Sequence, residues 1–176
     1  MSLIVEVTMS AKPTGRLVHR EDGLYLMLNR LFNAPIEQVW ASLTRPAELE
    51  KWIGTYTGSP ATGAVKFKMS AEPDAKWEYV SIRECQAPHR FNGDFGEGED
   101  SWRALFHLVE GDGMTNLTFG QRLRSPSEAA TVGPGWDYYL DRLVASRAGL
   151  PLPQWEHYYP AHAQFYKDLI VPVRTA

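Results

Sequence analysis

The sequence predicts one α+β domain in which a curved antiparallel sheet wraps a single long helix. Three observations carry this. Between Gly54 and Leu123 the apolar residues recur with a period of two. Only one long amphipathic helical stretch is present, from about Gly135 to Ala148. A sheet with one apolar face must be covered, and that helix is the long element available to cover it. At 176 residues the chain is one ordinary domain, and it buries roughly 70% of its unfolded surface.

The elements follow in order. Arg16 to His19 and Leu24 to Phe32 flank Glu21-Asp22-Gly23, a hairpin signal. Leu24, Leu26, Leu28 and Phe32 share a face, with Arg30 as the exception. A bulge turning Arg30 outward or a place near the sheet edge would accommodate it. Pro35 suits the first turn of a helix capped by Asn33 or Ala34. Ile36, Val39, Trp40 and Leu43 then form one helical face. Pro46 opens a second short helix carrying Leu49, Trp52 and Ile53, which Gly54 stops. Helices this short must dock on something larger.

Among the strands, Val65, Phe67 and Met69 alternate with lysines, and Trp102, Ala104, Phe106 and Leu108 oppose Arg103 and His107. Leu117, Phe119, Gln121 and Leu123 form the third apolar face, after a turn at Asp112-Gly113. Trp77 and Tyr79 have opposite parity to Val80 and Ile82, which suggests a bulge. Ser125-Pro126-Ser127-Glu128 reads as a capping box with proline at the first helical position. Pro134 is expected to interrupt, so the long helix begins near Gly135 and ends at Gly149. Its apolar side is Trp136, Tyr139, Leu140, Leu143 and Val144, opposite Asp137, Asp141 and Arg142. Trp136, Leu140 and Leu143 are expected against Phe67, Phe106 and Phe119.

Residues 1–14 form an N-terminal segment, 15–150 the domain, and 151–176 an aromatic tail that packs back on it. The tail is too apolar for a disordered end. Ala161, Phe165 and Leu169 suggest a short terminal helix on the surface. Packing beside the long helix is its simplest role. Two others stay open: covering a cavity mouth, or meeting a second copy in a homodimer.

The string from Arg30 to Trp40 (RLFNAPIEQVW), followed by Leu43-Thr44 and Trp52-Ile53-Gly54, resembles the opening signature of the heat-shock-protein ATPase activator homologue family. Gly135 to Leu143 (GWDYYLDRL) resembles its closing signature. That family lies in the START/Bet v 1-like (SRPBCC) superfamily, so the resemblance implies a helix-grip fold, commonly with a ligand cavity. The superfamily spans co-chaperones, lipid and hormone carriers, and polyketide cyclase/aromatases, so fold alone does not choose among them.

Composition excludes several classes. A net charge of −3 without a dense Lys/Arg run argues against nucleic acid. No stretch approaches a spanning helix and no leader is visible, so no membrane association and a cytoplasmic location are expected. The single cysteine, Cys85, excludes an intrachain disulfide and a multi-cysteine zinc site. Gly58 to Gly63 has the spacing of a phosphate loop, but Ala64-Val65 replace its Lys-Ser/Thr pair. Asp94-Phe95-Gly96 stands without the other kinase elements. Asn116-Leu117-Thr118 reads as a chance glycosylation match within a strand. His19, His89, His107, His157 and His162 show no ligand spacing and read as surface residues. No catalytic residue, metal or cofactor is expected.

The aromatics are the informative set, at 12% with six tryptophans. Phe67, Trp102, Phe106, Phe119, Gln121, Trp136, Tyr139 and Leu140 are the candidate ligand-binding residues, around a cavity between long helix and sheet. A filled core is the competing reading of the same rings. Gln121 is the one uncharged polar residue on its inward face, and a buried amide needs partners. The expected function is binding an apolar or aromatic small molecule. One alternative is a polyketide cyclase/aromatase-like enzyme moving protons with Glu84 or Tyr139; another is a stress-related co-chaperone or adaptor.

Overall fold

A computed structural model describes residues 11–169. Among the described residues, eight strands form one antiparallel sheet: β1 (Arg16–Arg20), β2 (Gly23–Phe32), β3 (Thr55–Thr57), β4 (Ala64–Lys68), β5 (Trp77–Gln86), β6 (Arg90–Phe95), β7 (Trp102–Gly111) and β8 (Met114–Leu123). Their spatial order is β1-β2-β8-β7-β6-β5-β4-β3, so the last strand slots in beside the N-terminal hairpin. Helices α1 (Ile36–Thr44) and α2 (Pro46–Leu49) precede β3, and α3 (Ala129–Ala148) and α4 (Ala163–Asp168) follow β8. This is the helix-grip architecture. Among the described residues no helix is long and apolar enough to cross a membrane.

The period-two strands behave as their patterns require. Leu26, Leu28, Phe32, Leu117, Phe119 and Leu123 lie buried on the helix side of the sheet. The tight turn after β7 places Asp112 and Gly113 at φ 54 and 75, with Gly111 opposite Met114, the left-handed pair that suits a two-residue hairpin. In β5 the register shifts between Ile82 and Glu84, so the bulge lies beyond the parity break that suggested it. Trp77 and Tyr79 simply face outward, 47% and 45% exposed.

Three local expectations fail, the first because a distant group supplies what the local sequence seemed to provide. The backbone N–H of Ile36, at the start of α1, donates to the Glu110 carboxylate from the end of β7 (2.9 Å), not to Asn33. The capping box does not form: Glu128 Oε2 accepts from the Arg124 backbone N–H (2.8 Å), and the Ser125 side chain caps nothing. Pro134 does not delay the long helix, which runs unbroken from Ala129. Its ring sits in the second turn, buried with Gly133.

Arg30 is the principal correction. It follows Leu24, Leu26 and Leu28 in the same parity and the β2–β8 register is unbroken, so no bulge turns it out. β1 begins opposite Met27 and leaves Arg30 without a β1 partner, so the edge reading has a basis. Even so, the guanidinium points inward, donating to Asp141 Oδ1 (2.9 Å) and Asp137 Oδ1 (3.0 Å) of α3. Asp137, expected on the wet side of its helix, is fully buried. It also accepts from Thr14 Oγ1 (2.6 Å) and from the Tyr166 hydroxyl, while Asp141 accepts from Tyr158 (2.7 Å). One cation, two carboxylates and two tyrosine hydroxyls thus close a network at the buried side of α3. Burial, then the neighbouring carboxylates, pushes both hydroxyls well above the ordinary tyrosine value, so they remain donors.

The tail closes this network, with a different face from the one expected. Tyr158, His162 and Tyr166 are buried, whereas Ala161 and Phe165 are exposed. His162 is therefore no surface histidine; its Nε2 lies 3.2 Å from the Ala11 carbonyl. The Tyr166 ring covers Gly133, and a Cβ there would stand 2.5 Å from ring carbons of this fully buried tyrosine. Glycine to alanine inside a helix ordinarily stabilises by roughly 0.5–1 kcal/mol. Here Gly133→Ala is expected to lower the melting temperature, because neither ring nor helix has space to yield. A raised melting temperature would show that α4 is not held there.

Candidate ligand-binding site

Packing leaves an apolar cavity of about 330 Å³ on the concave side of the sheet. Its floor is the inward side of β4 to β8, including Phe67, Val80, Trp102, Ala104, Phe106 and Phe119. Its roof is Trp40, Leu43, Leu49, Trp52 and Ile53 from α1 and the turn around α2, plus Trp136 from α3. The exposed lining residues are Pro60, Cys85 and Ala87, which places the opening at that rim.

The roof differs from the expected one. Trp136 does meet Phe119, with ring centroids 4.2 Å apart. Phe106 instead packs edge-on to Trp40 (5.5 Å) and stacks on Phe91 (5.1 Å), and Phe67 meets Phe95 (5.9 Å). The long helix packs mainly over β2, while α1 packs on β7 and β8 and α2 on β3. The cavity lies chiefly between the short helices and the sheet, and α3 contributes one wall residue.

A second, more open pocket of about 420 Å³ adjoins it, lined by Gln121 and Tyr139 together with Glu78, Asp100, Arg124 and Glu128. Met69, Trp102 and Trp136 line both spaces, which meet at these side chains. The Trp136 indole N–H donates to Gln121 Oε1 (2.5 Å), fixing the ring that borders both spaces. The Tyr139 hydroxyl donates to Glu72.

The eight sequence candidates therefore separate. Phe67, Trp102, Phe106, Phe119 and Trp136 line the inner cavity, and Trp102, Gln121, Trp136 and Tyr139 line the outer pocket. Leu140 lines neither and is core, 1% exposed. Among the lining residues that sequence reasoning missed, the largest are Trp40 and Trp52. Both sat on recognised apolar helix faces, but nothing local distinguishes a face that fills a core from one that roofs a cavity.

Little in the inner cavity can move a proton near neutral pH. Partial desolvation against the cavity wall pushes the Tyr56 hydroxyl and the Cys85 thiol above their ordinary values, so both stay protonated. The Tyr56 hydroxyl already donates to the Thr44 carbonyl (2.7 Å). In the outer pocket burial, reinforced by Glu72, raises Tyr139 far above the usual tyrosine range, and burial alone raises Glu78. Glu84, the other residue considered for acid–base work, lines neither space. Among the described residues no three His, Cys, Asp or Glu side chains converge as a metal site would require.

A concave antiparallel sheet gripping a C-terminal helix, with an apolar chamber roofed chiefly by the two short helices, defines a START/Bet v 1-like protein. Residues 33–146 match the family described as Activator of Hsp90 ATPase homolog 1-like protein, and the chain belongs to that family. Among solved structures it is similar to CalU16 from Micromonospora echinospora, with TM-score 0.71 and 20% identity over 90% of this chain and 96% of that one. The protein encoded by BPP1335 from Bordetella parapertussis gives TM-score 0.66 and 20% identity over 92% of this chain and 94% of that one. DynU16, a protein of the dynemicin biosynthetic locus, gives 0.62 and 22% over 74% of this chain and 49% of that one. At such identities the likeness is one of fold. No curated protein matches the chain.

Proposed function

We propose that this protein binds an apolar, aromatic small molecule in the inner cavity. The observation that carries the reading is the lining itself: four tryptophans and several phenylalanines surround about 330 Å³ within a single domain, and that volume lies within the range of small-molecule sites. The tyrosine hydroxyl in the wall is already committed to a backbone carbonyl, so the cavity offers rings and dispersion contact rather than polar recognition. Raised pKa values of the groups within reach favour binding over proton transfer. Calorimetric titration with tetralin, a neutral bicyclic hydrocarbon, is the test. Saturable binding with a negative heat-capacity change is expected, the mark of apolar burial. Absence of saturable binding by tetralin would contradict the reading.

A further inference from the structure

Gln121 is 5% exposed, so its carboxamide is buried apart from the edge it presents to the outer pocket. Its orientation is determined by chemistry. The Trp136 indole nitrogen is a donor only, so the amide atom facing it at 2.5 Å must be the oxygen. The amide nitrogen is thereby turned away from Trp136. It makes no hydrogen bond to any described residue, and it is not among the fully enclosed polar atoms that lack a partner. A buried amide that spends its oxygen on the protein and keeps two N–H donors on a pocket is arranged to meet an acceptor from outside.

Its place in the sheet adds the second half. Gln121 pairs with Ala104 across β8 and β7, and the small Ala104 side chain lines the inner cavity. The donor thus stands beside Met69, Trp102 and Trp136, where the apolar chamber meets the outer pocket. The outer pocket carries Glu78, Asp100 and Glu128 against Arg124 alone. Arg124 is drawn off toward the Ser101 carbonyl (3.3 Å). Such a rim disfavours an anionic acceptor.

We infer that the ligand class is a neutral aromatic carbonyl compound whose ring system fills the inner cavity and whose oxygen accepts from the Gln121 amide nitrogen. This rests on the inner-cavity reading given above and specifies it. Trp136 acts as a positioning residue, holding the amide with its nitrogen toward the ligand.

The test compares tetralone with tetralin, the same bicyclic body with and without the carbonyl. In the intact protein tetralone is expected to bind tightly relative to tetralin, and Gln121→Leu is expected to reduce that relative preference roughly 3- to 10-fold, the worth of one neutral hydrogen bond. The ratio removes effects on Trp136 that both ligands share. A second measurement needs no variant: the infrared carbonyl stretch of bound tetralone should fall below its value in dry hydrocarbon. Naphthoate should bind less tightly than tetralone. If tetralin and tetralone both bind but the preference is unchanged in Gln121→Leu, or the stretch is unshifted, this inference is overturned and the cavity reading stands. Tighter binding of naphthoate than of tetralone would overturn the neutral-ligand assignment. If neither tetralin nor tetralone binds, both fall together.

Discussion

Asp137→Ala is expected to destabilise the domain by about 3–5 kcal/mol, the usual effect of breaking a buried ion pair from one side. The carboxylate is fully buried and Arg30 nearly so, at 0% and 10% side-chain exposure. Removing it leaves the guanidinium with Asp141 as its one remaining carboxylate and strips the Tyr166 hydroxyl and Thr14 of their acceptor. The tail loses one of its anchors with the same stroke, keeping Tyr158 on Asp141. Asp137→Asn, which keeps the shape and one acceptor, is expected to lose less. Urea unfolding should show a lower midpoint with the slope retained. A loss under about 1 kcal/mol, typical of an exposed pair, would mean the network is not closed as described.

Leu140→Ala is expected to cost about 2–5 kcal/mol, as buried leucine truncations do. Leu140 is 1% exposed and belongs to the main core cluster. Because it lines neither space, its truncation should leave tetralin affinity within about twofold of the parent. Separate measurement of melting and binding distinguishes this from a wall residue, whose loss would move both.

The strands were legible because a one-faced sheet writes its burial into every second residue. The long helix was legible through its 3.6 period and its glycine stop. What the local pattern could not carry is pairing at a distance. Arg30 and Asp137 are 107 residues apart, and each alone reads as a polar exception to an apolar pattern. The tail was misjudged for a related reason: Phe165 is the more apolar ring, but Tyr166 has a hydroxyl that reaches Asp137 and a ring that fits over Gly133. At the candidate site, the floor aromatics followed from strand parity. The roof did not, because which helix covers which strands is a matter of docking, and Trp40 and Trp52 show the same sequence signature whether they fill or enclose a space.

The tryptophans supply a direct measurement of the central claim. Trp40, Trp52, Trp102 and Trp136 line the inner cavity, whereas Trp77 and Trp155 stand on the surface, 47% and 40% exposed. The indole N–H signals of a heteronuclear NMR spectrum report all six separately. Addition of tetralin is expected to shift the signals of the four lining residues and leave Trp77 and Trp155 in place. Shifts confined to Trp77 or Trp155, or no saturable shift at all, would contradict a ligand-binding cavity in this protein.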